Sequence, residues 1–542
     1  MKKLTLLLAL LLCSCDYFKE NVDMVIINAN VYTVDNEFSK AEAFAVHDGK
    51  FVAVGSNEEI RDVYTSKQLF DADGRTITPG LIDAHCHFYG LGLTQQIVDL
   101  VGTKSFEEVL ERVKSFHEEN PAEFIRGRGW DQNDWATKEF PVKTKLDELF
   151  PDTPVALERV DGHAYLVNQK ALDLAGIKWD TKVTGGEIVK KWSGGYSGIT
   201  GVLIDNPMQL VDRVIPPPSL SQKIKALQNA ERTCLNLGLT TVNDAGLDRE
   251  IIELIDSLQQ LGELNIRVYA MVSNSEDNLD YFLNKGIIKT DHLNVRSIKV
   301  YGDGALGSRG AALKAPYSDQ PDHHGAMITP VDDIYKLAER IAATEYQMNT
   351  HAIGDSANVV VLKAYQQALK EQEDRRWKVE HAQVIEKADF DYFENGVIPS
   401  IQPTHATSDM YWAKDRLGEE REKGAYAYKT LLKKAGRVAL GTDFPVEQVS
   451  PFLTFYAAVA RQDLEGFPEG GYQNDQALSR EEALRGMTIW AAYSNFEENE
   501  KGSIEVGKFA DFTIYDKDMM TVPVEEIPTI KADLTYIGGV AR

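Results

Sequence analysis

Eight strand-like runs alternate with amphipathic stretches along this chain, and that alternation limits the fold more than any other feature. The runs are TITPGLIDAH, GLTTVNDAG, NIRVYAMV, VRSIKVYGDGA, YQMNTHAIGD, RWKVEHAQ, GVIPSIQPTH and GRVALGTDFPV. Amphipathic segments such as Ser221 to Leu237, Pro330 to Glu345 and Ala357 to Gln372 lie between them. Strands separated by helices pair in parallel, and eight such units close on themselves. The pattern therefore predicts an α/β fold of the TIM-type (β/α)₈ barrel class, over residues 79–489.

Two parts of the 542-residue chain fall outside the alternation. Residues 16–78 read as short strands and turns, as in MVIINANVYTVD and AFAVHDGKFVAVG, and residues 490–542 do likewise in GSIEVGKFADFTIYDKD and DLTYIGGVA. Their β-branched content and Asp-Gly or Gly-Gly turns predict one composite β-sandwich assembled from both chain ends. Between the first two runs, residues 103–225 are too long for a structureless loop and predict an insertion or lid domain. At the N-terminus, Lys2 and Lys3 precede an apolar run from Leu4 to Leu12 that is too short to span a membrane as a helix. It ends in Leu12-Cys13-Ser14-Cys15, which resembles a bacterial lipobox. The resemblance implies that residues 1–15 are a lipoprotein signal with Cys15 as the lipidation site and that the protein sits in the cell envelope on a lipid anchor; an ordinary secretory signal that ends in cysteines is the alternative.

A formal net charge of −25 leaves no basic surface for nucleic acid, and membrane contact is expected through the lipid anchor only. The substrate is expected to be a small molecule. Two of the four cysteines lie in the signal, and the others, Cys86 and Cys234, lack metal-type spacing and read as core residues.

Chemistry gathers where the strand-like runs end. His85 and His87, two apart, project to the same side of an extended strand and can converge on one ion. His-x-His alone is a weak signal. Here His351 ends the fifth run, His381 the sixth, and Asp443 follows the eighth. Catalytic groups of such barrels collect at that face, so convergence explains the set better than four separate structural roles. Lys299 sits inside the apolar fourth run, where an unpaired ammonium is costly; it is expected to be paired, deprotonated or modified. A neutral amine could take up carbon dioxide as a carbamate that bridges two ions, while a charged one could pair with Asp303 or bind substrate. His405 ends the seventh run and faces the same mouth, either to hydrogen-bond the reacting carbonyl or to orient a loop. Trp130, Asp131 and His163 lie in the insertion as candidate lid contacts, with core packing the ordinary role of such a tryptophan. Arg309 follows a Gly-rich turn and could clamp a carboxylate.

The ordered set His85, His87, Lys299, His351, His381 and Asp443 resembles the amidohydrolase superfamily. The strings PGLIDAHCH, GRGWDQNDW, DGHAYLVN, IKVYGDGALGSRGAAL, HAIGD, VEHAQ, QPTHATSDMYWAKDRLG and GTDFPVE narrow the resemblance to its amidohydrolase-3 branch, which includes N-substituted formamide deformylase-like proteins. The resemblance covers essentially all of the mature chain. It implies one or two divalent ions, zinc foremost, with His85, His87 and Asp443 holding one, His351 and His381 the second, and a carbamylated Lys299 bridging. It further implies hydrolysis of an amide or related C–N bond in an N-acyl amine, N-acyl amino acid or N-substituted formamide, by metal-activated hydroxide, with Asp443 and His405 catalytic. A deaminase, lactonase or isomerase on the same site, or a non-catalytic envelope-binding lipoprotein, are the alternatives. Related barrels often dimerise, so a homodimer is expected to be available to this chain.

Overall fold

Parallel pairing runs without a break from the first of these strands to the eighth. The computed structural model describes residues 19–159, 164–183, 186–192, 197–205, 207–307, 309–370 and 374–542. The proposed signal and Cys15, and His163 of the insertion, lie outside the described residues. The barrel strands are β1 (Leu81–Cys86), β2 (Leu239–Leu247), β3 (Arg267–Ser273), β4 (Leu293–Tyr301), β5 (Gln347–Ala352), β6 (Lys378–His381), β7 (Ile398–Ile401) and β8 (Ala439–Leu440). Each pairs in parallel with the next. Beyond the short β8 the chain returns to β1: Asp443 N–H donates to His85 O at 2.8 Å and His87 N–H to Phe444 O at 2.8 Å. The eight-stranded α/β barrel is thereby all but closed.

Local sequence explains the elements that wrap it. The helix Arg249–Gln260 buries Ile251, Ile252, Ile255 and Leu258, one face of a 3.6-residue period. Ser275 caps Glu276–Lys285 by accepting from Asn278 N–H, and the left-handed Gly436 ends Tyr428–Ala435. After β4 the chain makes a long excursion pinned by one carboxylate. Asp303 accepts backbone N–H groups from Ala312, Ile353 and Gly354 at 2.8–2.9 Å, tying that loop to the end of β5.

Both chain ends build the sandwich. One sheet orders Lys50–Gly55, Ala43–His47, Met24–Ile27 and Gln68–Asp71. The other orders Val540–Ala541, Ala532–Ile537, Phe512–Tyr515, Thr76–Pro79, Asn30–Tyr32 and Lys40–Ala41. Phe44, Phe51 and Phe512 fill the core, with Phe44 meeting both partners nearly edge-on at 5.3 and 5.0 Å. The buried Arg267 of β3 grips Asp511 bidentately at 2.6 and 2.8 Å, fixing the sandwich to the barrel. The chain does not join the sandwich at residue 490: the helix Ile489–Ser494 packs on β1 and β8, with Ala491 and Ala492 against Ile82, Ala84 and Ala439.

The insertion is a separate compact unit spanning Gly90–Asn229, wider than the expected 103–225. Its six-stranded sheet orders Val98–Asp99, Ile125–Trp130, Val155–Arg159, Ala164–Val167, Gly198–Asp205 and Gly186–Lys191.

Gly441 marks the tightest point of barrel closure. A Cβ there would stand 2.4 Å from His85 N and 2.9 Å from an Asp83 carboxylate oxygen. Gly441→Ala is expected to destabilise the fold by about 1–3 kcal/mol, the usual effect of overpacking, read as a lowered denaturation midpoint. An unchanged midpoint would show that the seam is looser than this.

Candidate metal centre

Four strand ends, one helix and one loop turn their polar side chains to a single spot. His85 and His87 come from the end of β1, Lys299 from β4, His351 from β5 and His381 from β6. His405 lies in the helix Pro403–Asp409 that opens directly after β7, and Asp443 in the loop after β8. His381 and Asp443 adopt left-handed backbone conformations, φ 73° and 64°, which L-residues hold only where surrounding structure compels them.

Asp443 is the hub. Its Oδ1 lies 3.2 Å from His87 Nε2 and 3.6 Å from His85 Nε2, and its Oδ2 lies 3.6 Å from His405 Nε2. The His381 ring stands 4.9 Å from His85 and 4.5 Å from His351, centre to centre, and stacks nearly parallel to His405 at 5.8 Å. At this site, among the described residues, two groups of donor atoms are close enough to share an ion: His85, His87 and Asp443, and His381, His405 and Asp443. His351 stands beside the second group, its Nε2 3.7 Å from Asp303.

Electrostatics prepares these groups as ligands. Burial pushes the His85 and His381 imidazoles below their ordinary values and takes His351 down to about 3, leaving neutral rings with free lone pairs. Burial alone would raise Asp443, but the neighbouring His87, His85, His381 and His405 together outweigh it and hold the carboxyl well below the usual range. Burial likewise lowers Lys299, whose Nζ lies 3.3 Å from His85 Nε2; among the described residues no carboxylate is within ion-pair distance of it. His351 Nε2, His381 Nδ1, His405 Nε2 and Asp443 Oδ1 are buried without a hydrogen-bond partner. Each such atom costs about 1–3 kcal/mol unless something satisfies it. Neutral nitrogen donors around an ionised carboxylate are the donor set a divalent ion requires.

Three supporting carboxylates escaped sequence reasoning. Glu380 Oε2 accepts from His85 Nδ1 at 2.5 Å, which fixes the tautomer and turns the Nε2 lone pair toward the site. Asp83 accepts from Thr442 Oγ1 at 2.7 Å and from Thr442 N–H at 3.1 Å, setting the loop that bears Asp443; burial raises its carboxyl to about 7. Asp244, raised to about 6 by burial, accepts Tyr89 N–H at 2.9 Å, just past His87. Their signal was the one that exposed Lys299, a charged residue inside a buried strand, and it was present in VEHAQ, LIDAH and TVNDAG.

The outlying candidates have other partners. In the insertion unit, Trp130 is fully buried and donates its indole N–H to Leu157 O at 2.8 Å, while Asp131 pairs with Arg159 at 2.5 Å. The Arg309 fork is occupied by Asp319, through Nε at 3.1 Å and Nη2 at 2.7 Å.

A parallel barrel with neutral imidazoles, an ionised aspartate and a buried lysine at the C-terminal strand ends defines the class of metal-dependent hydrolases. A sequence model of the amidohydrolase family matches residues 68–541. The Bacillus subtilis (strain 168) protein YtcJ is 30% identical over 94% of this chain and 97% of its own. N-substituted formamide deformylase of Arthrobacter pascens is 28% identical over 96% of this chain and 98% of its own. An uncharacterized metal-dependent hydrolase from Pyrococcus horikoshii OT3 superimposes with a TM-score of 0.78, at 28% identity, over 92% of this chain and 99% of that one. The chain belongs to the amidohydrolase family and is an enzyme that hydrolyses carbon–nitrogen bonds.

Glu380→Gln keeps the side-chain shape but removes the charge that orients His85. It is expected to weaken metal binding about 10–100-fold, measured by competition against a chelator. Unchanged affinity would remove Glu380 from this role.

Proposed function

We propose that this enzyme cleaves the amide of an N-acyl amine, N-acyl amino acid or N-substituted formamide, using one or two zinc ions. The observation that carries the reading is the convergence of buried, partnerless imidazole nitrogens on the ionised Asp443. His85, His87 and Asp443 would hold one ion, and His381 with His351 or His405 a second. When bound, the metal supplies Lewis-acid polarisation of the carbonyl and a lowered pKa for water.

The chain's own groups do the rest. Asp443 takes the proton of the attacking water on a carboxylate oxygen and passes it to the departing amine nitrogen, so no net proton is lost from the pair of steps. His405, with its unpartnered Nε2 3.6 Å from Asp443 Oδ2, is placed to hydrogen-bond the carbonyl oxygen as charge develops there. Glu380 holds the His85 ring. Lys299 is proposed to carry a carbamate: its neutral amine bonds to the carbon of carbon dioxide and releases one proton, giving an anionic oxygen donor. Its burial and lack of a carboxylate partner among the described residues support this.

A panel of N-acyl amines, N-acyl amino acids, formamides, lactones and aminopurines tests the reading. Liberated amine plus acid is expected; release of ammonia from an aminopurine, or lactone opening alone, would replace it. Asp443→Asn is expected to lower kcat by at least about 10²-fold, the lower range for loss of a general acid–base. Full activity in that variant would overturn the mechanism.

We also propose that the protein is exported and lipid-anchored through Cys15, on the strength of the apolar run and the Leu12-Cys13-Ser14-Cys15 string. Cys15→Ser is expected to move the protein from the detergent phase to the aqueous phase on detergent partitioning. An unaltered distribution would exclude the anchor.

A further inference from the structure

Beside the metal centre, the segments that carry His405 and Asp443 continue into the walls of a cavity of about 250 Å³. On one side the helix after β7 presents Thr404, Thr407 and Ser408, the i, i+3, i+4 spacing of a single face, and Tyr411 follows just past its end. His405 and Ser408 are themselves three apart, so the histidine borders this face. Facing it, the helix Pro451–Ala460 contributes Leu453, Tyr456 and Ala457, again one face. Ser408 Oγ donates to Glu447 Oε1 at 2.6 Å, which joins the helix bearing His405 to the loop bearing Asp443.

Three features show that the cavity is built for a ligand group of a definite kind. Its accessible wall is more apolar than polar, with Leu453, Tyr456, Ala457 and Leu464 among the hydroxyl and amide side chains, and its rim exposes large apolar groups: Leu464 is 63% and Tyr411 59% exposed, with Phe467 stacked on Tyr411 at 5.8 Å. Thr404, only 8% exposed and next to His405 in the chain, has a hydroxyl with no hydrogen-bond partner. That hydroxyl gains a partner from a polar atom arriving beside His405. The charged residues lining the cavity, among those described, are Glu447 and Asp463, both anionic. Asp463 accepts from the Tyr411 hydroxyl and from the backbone N–H groups of Glu465 and Phe467, and therefore stays at the rim.

We propose that this cavity is the specificity pocket for the apolar substituent of the scissile amide, and that the substituent is uncharged. The assignment rests on the amide-hydrolase reading and narrows it. Apolar N-acyl amines and formamides fit, whereas an N-acyl amino acid would bring a carboxylate against Glu447 and Asp463 with no cation among the described lining residues to receive it. The volume suits a six-carbon chain or a ring, since a cavity of about 150 Å³ already accepts benzene.

Calorimetric titration of the Asp443→Asn protein, whose replaced residue does not line the cavity and which suppresses turnover, tests the assignment. The ligands are N-hexylacetamide and its carboxylate counterpart, ω-acetamidohexanoate. The neutral amide is expected to bind at least about tenfold tighter, because the other ligand desolvates a charge beside two like charges. Adding Ala457→Phe should abolish most of that binding by filling the cavity. Adding Leu464→Ala, an exposed truncation that leaves the core untouched, should weaken it about threefold. Adding Glu447→Gln should narrow the gap between the two ligands. Equal affinity for both, or neutral-ligand binding indifferent to both Ala457→Phe and Leu464→Ala, would overturn the pocket assignment. Failure of the hydrolytic reading looks different: the neutral amide binds with this variant pattern, while the unsubstituted enzyme releases amine from no amide.

Discussion

The seam between the eighth strand and the first is the constraint on which the rest of the structure depends. β8 is only two residues long, so regular pairing cannot close the barrel by itself. Closure comes from Asp83 binding Thr442, from Asp443 N–H on His85 O, and from His87 N–H on Phe444 O. Gly441 lacks the Cβ that would hold the two backbones apart. The same contacts set the positions of His85, His87 and Asp443, so barrel closure and ligand geometry are one set of interactions.

A second feature of the barrel is how much polarity it encloses. Away from the metal centre, Lys378 Nζ donates to Asn495 Oδ1 at 2.8 Å, and Asn495 Nδ2 donates to Asn243 Oδ1 at 2.9 Å. Asn294 donates to Asn495 O, Gln347 to Ser494 O, and the Tyr269 hydroxyl to Gln347 Oε1. Burial lowers Lys378 to about 8, and its ammonium also sits 4.5 Å above the Tyr269 ring. Such groups are tolerable inside only because each finds a partner. Four side-chain atoms of the metal centre have none, and neither do some others on the strands, among them both amide atoms of Asn349 and the Ser297 hydroxyl.

Much of the barrel was legible in the sequence because its signals are local. Each of the eight runs became a strand, since β-branched, buried segments bounded by turn residues have few other ways to fold. His85 and His87 were legible from their spacing, and Lys299 from being a charge inside an apolar strand. Glu380 and Asp83 carried the same signal and were passed over, because a carboxylate beside a histidine in a string such as VEHAQ does not reveal which distant ring it will meet. Glu380 meets His85 across 295 residues of chain, a pairing that exists only once β1 and β6 share a barrel. The boundary at residue 490 depended on a related long-range contact: Asn495 is buried among barrel strands, where Lys378 donates to it.

Sequence alone determined the fold class, the family resemblance and the residue types gathered at the strand ends, because periodicity and motif are properties of neighbouring residues. Tertiary structure decided the rest. It made Asp443 the hub of the site, put His405 within reach of it, occupied Arg309 with Asp319, placed Trp130 in a hydrophobic core, and opened a cavity with Glu447 and Asp463 in its lining where the segments bearing His405 and Asp443 continue. Those outcomes depend on distances and burial between residues far apart in the chain, and burial is what sets both the protonation of the imidazoles and the cost of leaving their nitrogens unpaired.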